Sequence, residues 1–441
     1  MPSRSTLDGT PTPTYQHVVV RGLPYNRGLS HGQQAGTKVR ANVEYYRRPG
    51  KLASAELTER IIREVYIPAL KKYYPSGLEE MRGISDGAGV TLEDIVLLNA
   101  RYDLARLDEA GEKPTNGAAD GANGAKDDAA NECTSAFFLK EATASGDVIN
   151  TQNWDMAARL WLSDCIIYLE VHPEPSENKP SLFLITEAGQ LGRSGMNSYG
   201  MAVTANSLMS TDDYIPVPVE PGSQVKAKPV LPLSMLRRMI LESSHLAEAL
   251  TAAHNFPRHV SNNLTVATAD GFGMCLEVTP DRIYKVYGSI DDHYLIHTNH
   301  FTHNGFESRP DIRDRYPGGS SWFRRQRFEQ GIRLHALSGQ VTTERISEAF
   351  SDHLSYPEAL CCHPASSPID AVIDHLPGYP FRGASATVAC VMYNTSQRTV
   401  TVCKGPPCQG TFQTYELAGE RAPKKTTKAP GHESRERPEL P

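Results

Sequence analysis

The sequence predicts an α+β protein built in layers. Three observations carry this. Residues 16–104 are mainly helical in pattern, the stretch after Asp155 is strand upon strand, and the later helices come in separate blocks instead of alternating with strands. No internal repeat, phosphate-binding loop or dinucleotide fingerprint interrupts that order. A chain of 441 residues can bury a large core. Residues 1–15 are rich in Pro, Ser and Thr, and residues 417–441 are charged and Pro-rich, so both ends are expected to be disordered around a single domain over 16–416.

Residues 15–22, YQHVVVRG, read as a first strand, and residues 26–46 as a helix preceded by a glycine-bearing turn. Residues 53–74 place Leu, Ile, Val and Tyr at helical spacing, and 77–89 read as a helix that ends at glycines. Thr91 is an N-cap, with Asp94 closing an acidic capping box, for a helix running to residue 105. Residues 105–132 are rich in Ala, Gly, Asp and Asn. Such a stretch has little apolar surface to offset its ordering entropy and reads as a flexible loop. It could be a linker between domains, but its position directly before Cys133 suits a processing loop.

Residues 134–140 and 147–153 are strand-like and joined by a turn at 143–146, which makes a β-hairpin. Strands are expected next at 165–172, 181–186, 189–208 and 264–278, with shorter ones at 284–287 and 294–297. Helices are expected at 232–254, 321–337 and 342–354. The chain closes on strands 384–394 and 398–403, separated by a Thr-Ser-Gln turn.

A net charge of −6 gives no electrostatic reason for a nucleic-acid or anionic-membrane partner. No apolar run approaches the roughly 20 residues of a membrane helix. The N-terminus lacks the apolar segment of a secretory signal, so a cytoplasmic location is expected. The eight cysteines are scattered, which argues against a disulfide framework. Cys361-Cys362-His363 and the Cys403, Cys408 pair hint at zinc, but no second paired-ligand motif of the usual spacing lies nearby, and no metal is expected.

The hairpin starts at Cys133 and ends in Gln152, Asn153 and Asp155, so it can bring a nucleophile near polar groups. A free thiol, with a pKa of about 8.5, is mostly protonated at neutral pH. If the cysteine is N-terminal, its own α-amino group, with a pKa of about 8, can take the proton. Taken alone, Cys133 also reads as a buried structural thiol, and Asn299 in HTNH as a turn residue. His297 and His300 leave a Cys–His protease open.

Several pieces then occur in a familiar order. They are Gly28, His31 and Gly32; Glu80-Met81-Arg82-Gly83-Ile84; Asp94-Ile95-Val96-Leu97-Leu98-Asn99; Cys133-Thr134-Ser135; and Gln152-Asn153-Trp154-Asp155. Ile185-Thr186-Glu187-Ala188-Gly189, the GMNSYG run from Gly195, His297-Thr298-Asn299-His300 and Arg382-Gly383-Ala384 follow. From Gly28 to Cys403 the chain resembles the acyl-CoA:6-aminopenicillanic acid acyltransferase, or isopenicillin N acyltransferase, family of N-terminal-nucleophile hydrolases. The resemblance implies a four-layer αββα sandwich of two antiparallel sheets between helices. It implies a precursor cut at Glu132–Cys133 by its own cysteine, leaving fragments 1–132 and 133–441 associated.

By the same resemblance, Cys133 is the nucleophile and Asn299 donates to the oxyanion. Asp155 fixes the α-ammonium group or orients the nucleophile. Arg382 lowers the thiol pKa, pairs with Asp155 or binds a substrate carboxylate. Thr134 and Ser135 support the site, Ser135 standing where threonine is usual. The implied reaction moves an acyl group from an amide or an acyl-CoA thioester to an amine or water, in secondary metabolism. Its partners are a small-molecule acyl donor and an amine acceptor, with no nucleic acid and no membrane. No cofactor is implied, and acyl-CoA would be a substrate. Glu132 departs from the family's glycine, Thr279 and Phe381 depart from serines, and the peroxisomal tail is missing. These departures point away from penicillin synthesis. The alternative is a non-catalytic or uncleaved member that binds a small acyl or peptide ligand.

Overall fold

Alternating side chains along the strands set the layers. In β4 (Ile166–Pro173), Ile167 and Leu169 pack with the N-terminal helices, while Ile166 and Tyr168 face the other way into a second core. A sheet that is apolar on both faces must be covered on both, and here a second sheet covers one of them. The computed structural model describes residues 12–107, 133–218, 227–316, 319–364 and 385–417.

Strand β1 (Gln16–Gly22) leads into helices α1 (Pro24–Tyr46), α2 (Ala55–Ile61), α3 (Ile67–Tyr73), α4 (Pro75–Ala88) and α5 (Leu92–Leu104). Strands β2 (Thr134–Phe138) and β3 (Ile149–Ala157) precede β4, and β5 (Leu182–Glu187), β6 (Ser194–Asn197) and β7 (Met201–Ser207) follow it. Helices α6 (Leu233–Glu242) and α7 (Leu246–Asn255) lead to β8 (Asn262–Thr268), β9 (Phe272–Val278), β10 (Ile283–Val286) and β11 (Tyr294–His297). Helices α8 (Ser320–Leu337) and α9 (Thr343–Phe350) come before β12 (Ser385–Asn394), β13 (Thr399–Lys404) and β14 (Phe412–Glu416).

An eight-stranded sheet runs β1-β4-β5-β6-β7-β8-β9-β10, and a six-stranded sheet runs β11-β2-β3-β12-β13-β14. Helices α1–α7 cover the first through one large apolar cluster, and α8 and α9 cover the second through Phe328, Ile332, Ile346 and Phe350. Trp154, Met156, Tyr168, Phe183, Val391 and Val402 fill the space between the sheets. The result is the four-layer αββα order. Among the described strands, β1 and β4 pair parallel, which the long helical excursion of α1–α5 makes possible.

The hairpin of β2 and β3 forms with Thr134 opposite Asn153, and β3 continues past the expected end to Ala157. The Thr91–Asp94 capping box is reciprocal. The helix expected over 232–254 is two, because Ser243 is extended and His245 caps a new start by accepting from the Glu248 amide. The strand expected over 264–278 is likewise two, turned at Gly271 with φ +100°. A π-helical turn at Ile62–Tyr66 interrupts the helix expected over 53–74. Residues 12–15, expected in a disordered end, include a buried Tyr15 whose hydroxyl donates to the Val388 carbonyl at 2.8 Å. Residues 108–132 of the expected processing loop and the tail from 418 lie outside the described residues, while residues 105–107, expected in that flexible loop, are buried. No described helix is long and apolar enough to cross a membrane.

The glycines expected in a turn before the first helix sit inside it. A Cβ on Gly28 would lie 1.9 Å from the Glu80 carbonyl, and one on Gly83 would lie 2.1 Å from the Tyr25 carbonyl. These residues let α1 and α4 touch backbone to backbone. Beside that contact the buried Glu80 carboxylate accepts from Arg27 and Arg238, each at 3.0 Å. Arg27 also pairs with Glu177, and Arg238 with Glu242 at 2.8 Å.

Two stability outcomes follow from this packing. Gly83→Ala should cost about 1–3 kcal/mol through overpacking against a backbone that cannot yield. Glu80→Gln should cost roughly 3 kcal/mol, the low end for a broken buried ion pair, because each arginine keeps a second carboxylate. Denaturant unfolding measures both, and an unchanged midpoint in either variant would refute the corresponding contact.

Candidate active site

Cys133 stands at the head of β2, and its side chain is part of the apolar layer between the sheets, with 1% of the residue exposed. Its backbone N–H does not join a ladder. It donates to Asn299 Oδ1 at 2.8 Å, from the loop after β11. The Cys133 carbonyl accepts from Arg324 of α8 at 2.8 Å. The same guanidinium donates to Thr134 Oγ1 at 2.9 Å and to Asn299 Oδ1 at 3.0 Å.

This pattern fixes which way the Asn299 carboxamide faces. Arg324 and the Cys133 amide can only donate, so the atom they share must be the oxygen. Its nitrogen donates to the Ser207 carbonyl at 3.0 Å. The Asn299 backbone N–H donates to Ser321 Oγ at 2.8 Å, so the first turns of α8 hold this loop at two points.

Asp155 is fully buried on β3, and its backbone carbonyl faces the Cys133 thiol at 3.9 Å. Asn153, two residues before it, donates to the Phe350 and Leu360 carbonyls in the outer helical layer. By strand alternation the Asp155 carboxylate shares that outer face, while Trp154 faces the thiol's layer. In β12, Thr387 pairs with Asp155 and Ala389 with Trp154, so Val388 bulges opposite this point.

Burial pushes the Cys133 thiol up to about 11. The Arg193 charge opposes this, the Asp155 charge adds to it, and Arg324 opposes it more weakly. Arg193 is buried, with its guanidinium 4.3 Å from the Trp154 ring centroid. Burial and the charges of Arg101 and Arg237 push Arg193 down to about 9, so it still carries its charge at neutral pH. The thiol therefore sits in a dry place next to a fixed cation. The cavities of about 350 and 340 Å³ at the surface do not have Cys133 in their linings.

The remaining candidates have definite places. Thr134 faces Arg324. Ser135 faces the opposite layer, where its hydroxyl is 3.0 Å from Thr265 Oγ1 and accepts from Asn206 at 2.9 Å. Gln152 joins the two sheets, donating to the Ala205 carbonyl at 2.7 Å and accepting from Ser194 at 2.6 Å. The His297 ring lies 2.9 Å from both Glu277 Oε1 and the Thr298 carbonyl. His300 meets Ser321 Oγ at 2.8 Å, and burial pushes it down to about 3. Neither imidazole has a hydrogen bond to Cys133 among the described residues. Thr279 is buried, and its carbonyl accepts from Arg258 at 2.5 Å. Glu132, Phe381 and Arg382 lie outside the described residues.

Sequence reasoning missed Arg324, Arg193 and Ser321. Arg324 left a signal: it lies four residues before Phe328 in the buried stripe Phe328, Ile332, Ala336 of α8. An arginine in register with an apolar stripe has to meet acceptors inside. Nothing in the sequence around Arg193 marks it.

Among solved structures, the chain is similar to a Caenorhabditis elegans N-acylethanolamine-hydrolyzing acid amidase ortholog. The two share 14% identity over 60% of this chain and 93% of that one, with a TM-score of 0.36. It is also similar to a conjugated bile acid hydrolase from Clostridium perfringens, at 9% identity over 64% of this chain and 97% of that one, with a TM-score of 0.36. In sequence, it is 27% identical over 358 residues to the 40 kDa form of the acyl-coenzyme A:6-aminopenicillanic-acid-acyltransferase of Emericella nidulans, covering 78% of this chain and 84% of that enzyme. The family model for acyl-coenzyme A:6-aminopenicillanic acid acyl-transferase matches residues 142–368, a span that includes Asp155, Asn299 and Arg324 but begins after Cys133. With just over half of its length matched, the chain belongs to the acyl-coenzyme A:6-aminopenicillanic acid acyl-transferase family.

Proposed function

We propose that this chain cuts itself at Glu132–Cys133 and then works as an amide hydrolase or acyltransferase with Cys133 as its nucleophile. One observation carries the reading: a buried carboxamide oxygen, Asn299 Oδ1, waits 2.8 Å from the Cys133 nitrogen. In the uncut chain that nitrogen is an amide. After cleavage it is an α-amine, which needs a fixed acceptor to stay beside the thiol it must deprotonate.

In the first step Cys133 Sγ attacks the Glu132 carbonyl carbon, the C–N bond breaks, and the nitrogen leaves as the α-amine with the thiol's proton. Water then hydrolyses the thioester and frees the sulfur. In turnover the α-amine takes the thiol proton, and the thiolate attacks the acyl carbon of an amide or acyl-CoA thioester. The leaving amine or thiol departs with a proton from the α-ammonium. Water or an amine then takes the acyl group from sulfur. Arg193 stabilises the thiolate at each return to it. Arg324 holds the Cys133 carbonyl and Asn299 in place. Asn299 Nδ2 is engaged with Ser207, so the geometry favours Asn299 as the holder of the amine over its role as oxyanion donor. The departures at Thr279 and Phe381 from the serines of the penicillin enzymes favour an acyl substrate other than isopenicillin N, within a secondary pathway.

A second reading, an uncleaved member that binds an acyl or peptide ligand, draws on Glu132 and on the sealed thiol. Denatured intact mass separates the two. Two fragments, the second beginning at Cys133, are expected, and Cys133→Ala should stay whole and lose turnover by at least about 10³-fold. A wild-type chain that remains whole and yet turns over amides or acyl-CoA would sink the mechanism.

The pH dependence of alkylation at Cys133, read by peptide mass, tests the amine as base. Where the chain is uncut, the rate should rise about tenfold per pH unit towards the thiol's pKa of about 11. After cleavage it should level off near the α-amino range, about 8. Equal profiles in cut and uncut protein would remove the α-amine from the mechanism.

A further inference from the structure

The fold gathers four metal-binding side chains that the sequence scatters over 56 positions. His353, Cys361, His363 and Cys408 place one ligand atom each within 4.8 Å of all the others. His363 Nε2 lies 3.2 Å from His353 Nε2, 3.4 Å from Cys361 Sγ and 3.4 Å from Cys408 Sγ. One ring nitrogen offers a single hydrogen or a single lone pair, so hydrogen bonding cannot account for three neighbours at once. A shared cation can. Zinc bonds of about 2.0–2.1 Å to nitrogen and about 2.3 Å to sulfur give tetrahedral edges of about 3.3 Å between nitrogens and about 3.6 Å between nitrogen and sulfur. The three separations from His363 Nε2 lie close to those edges, and the remaining pairs are within 4.8 Å.

We propose that His353, Cys361, His363 and Cys408 bind one Zn²⁺ in a closed tetrahedral Cys₂His₂ site. Binding displaces the two thiol protons to solvent. All four positions are filled by protein, so the site is structural and leaves no place for a reacting water. Its ligands come from two segments. Three lie in the loop after α9, where the Cys361 amide donates to the Asp352 carbonyl at 2.9 Å and the His363 amide to the Pro357 carbonyl at 3.1 Å. Cys408 comes from the turn between β13 and β14, which is closed by Gly410 donating to the Pro406 carbonyl at 3.1 Å.

The clamp has a use in the fold. The same loop receives Asn153 on the Leu360 carbonyl at 3.0 Å, and its Cys362 carbonyl accepts from the Thr387 amide at 3.0 Å. Thr387 pairs with Asp155. The metal would therefore pin the loop that lies against the outer face of β3 and β12, beside the Asp155 position. Spacing rules miss the site because its ligands do not form two close pairs.

Protein purified under reducing conditions without chelator should carry about one zinc per chain by mass spectrometry of the metal. Cys408→Ser and His353→Ala change exposed residues and should fold, yet each should bring zinc below about a tenth of that level. Cobalt added to metal-stripped full-length protein should give a thiolate-to-metal charge-transfer band that Cys408→Ser weakens or abolishes. Stripping the metal should lower the melting temperature of the wild type but not of Cys408→Ser. The proposal is overturned if the reduced protein neither holds zinc nor takes it up. It is equally overturned if both variants keep the wild-type zinc content, or if intact mass shows a Cys361–Cys408 disulfide in the protein as isolated.

Discussion

A guanidinium with no access to water governs the centre of this molecule. Arg324 is fully buried, and a buried cation must be answered by acceptors or the fold pays heavily for it. The acceptors include the Cys133 carbonyl, Thr134 Oγ1 and Asn299 Oδ1. Through them one side chain of α8 sets the start of β2, the rotamer of Asn299 and the course of the loop after β11. The nucleophile candidate is therefore positioned by an element that follows it by almost two hundred residues, and the outer helical layer is part of the site.

The same interdependence holds across the Glu132–Cys133 bond. Strand β1 adds to the eight-stranded sheet beside β4, and Glu80 shares Arg238 with the C-terminal part. Asn99 donates to the Gly189 carbonyl and accepts from the Leu191 amide, and Tyr102 donates to the Ser261 carbonyl. The two stretches on either side of residue 132 share one apolar cluster. A cut at that bond would remove a covalent link and leave the core intact, which supports fragments that stay together.

Electrostatics at the thiol pull in two directions. Burial works against the thiolate, while Arg193 works for it. A site arranged this way keeps its sulfur mostly protonated at neutral pH unless a base stands beside it. An α-amine released by cleavage would be such a base, already next to a carboxamide oxygen. The same dry setting that disfavours the thiolate would strengthen every charge interaction around the sulfur.

The sequence by itself determined the layered α+β class, most strands and helices, the capping box at Thr91 and the identity of the sulfur nucleophile candidate. These are local matters: alternation, helical spacing, turn chemistry and short motifs are written in consecutive residues. It also carried a readable trace of Arg324, in the apolar stripe of α8. Tertiary structure alone decided the rest. Gly28, expected in a turn, proved to be a contact point between helices, where it meets the helix that carries Gly83, because a close approach is made by two segments at once. The orientation of Asn299 followed from the donors around it, which come from β2 and α8. The Arg193 charge acts on the thiol, and His353, Cys361, His363 and Cys408 met, only because segments distant in sequence became neighbours. A hydrogen bond or a metal polyhedron depends on distances in space, and a sequence states only distances along the chain.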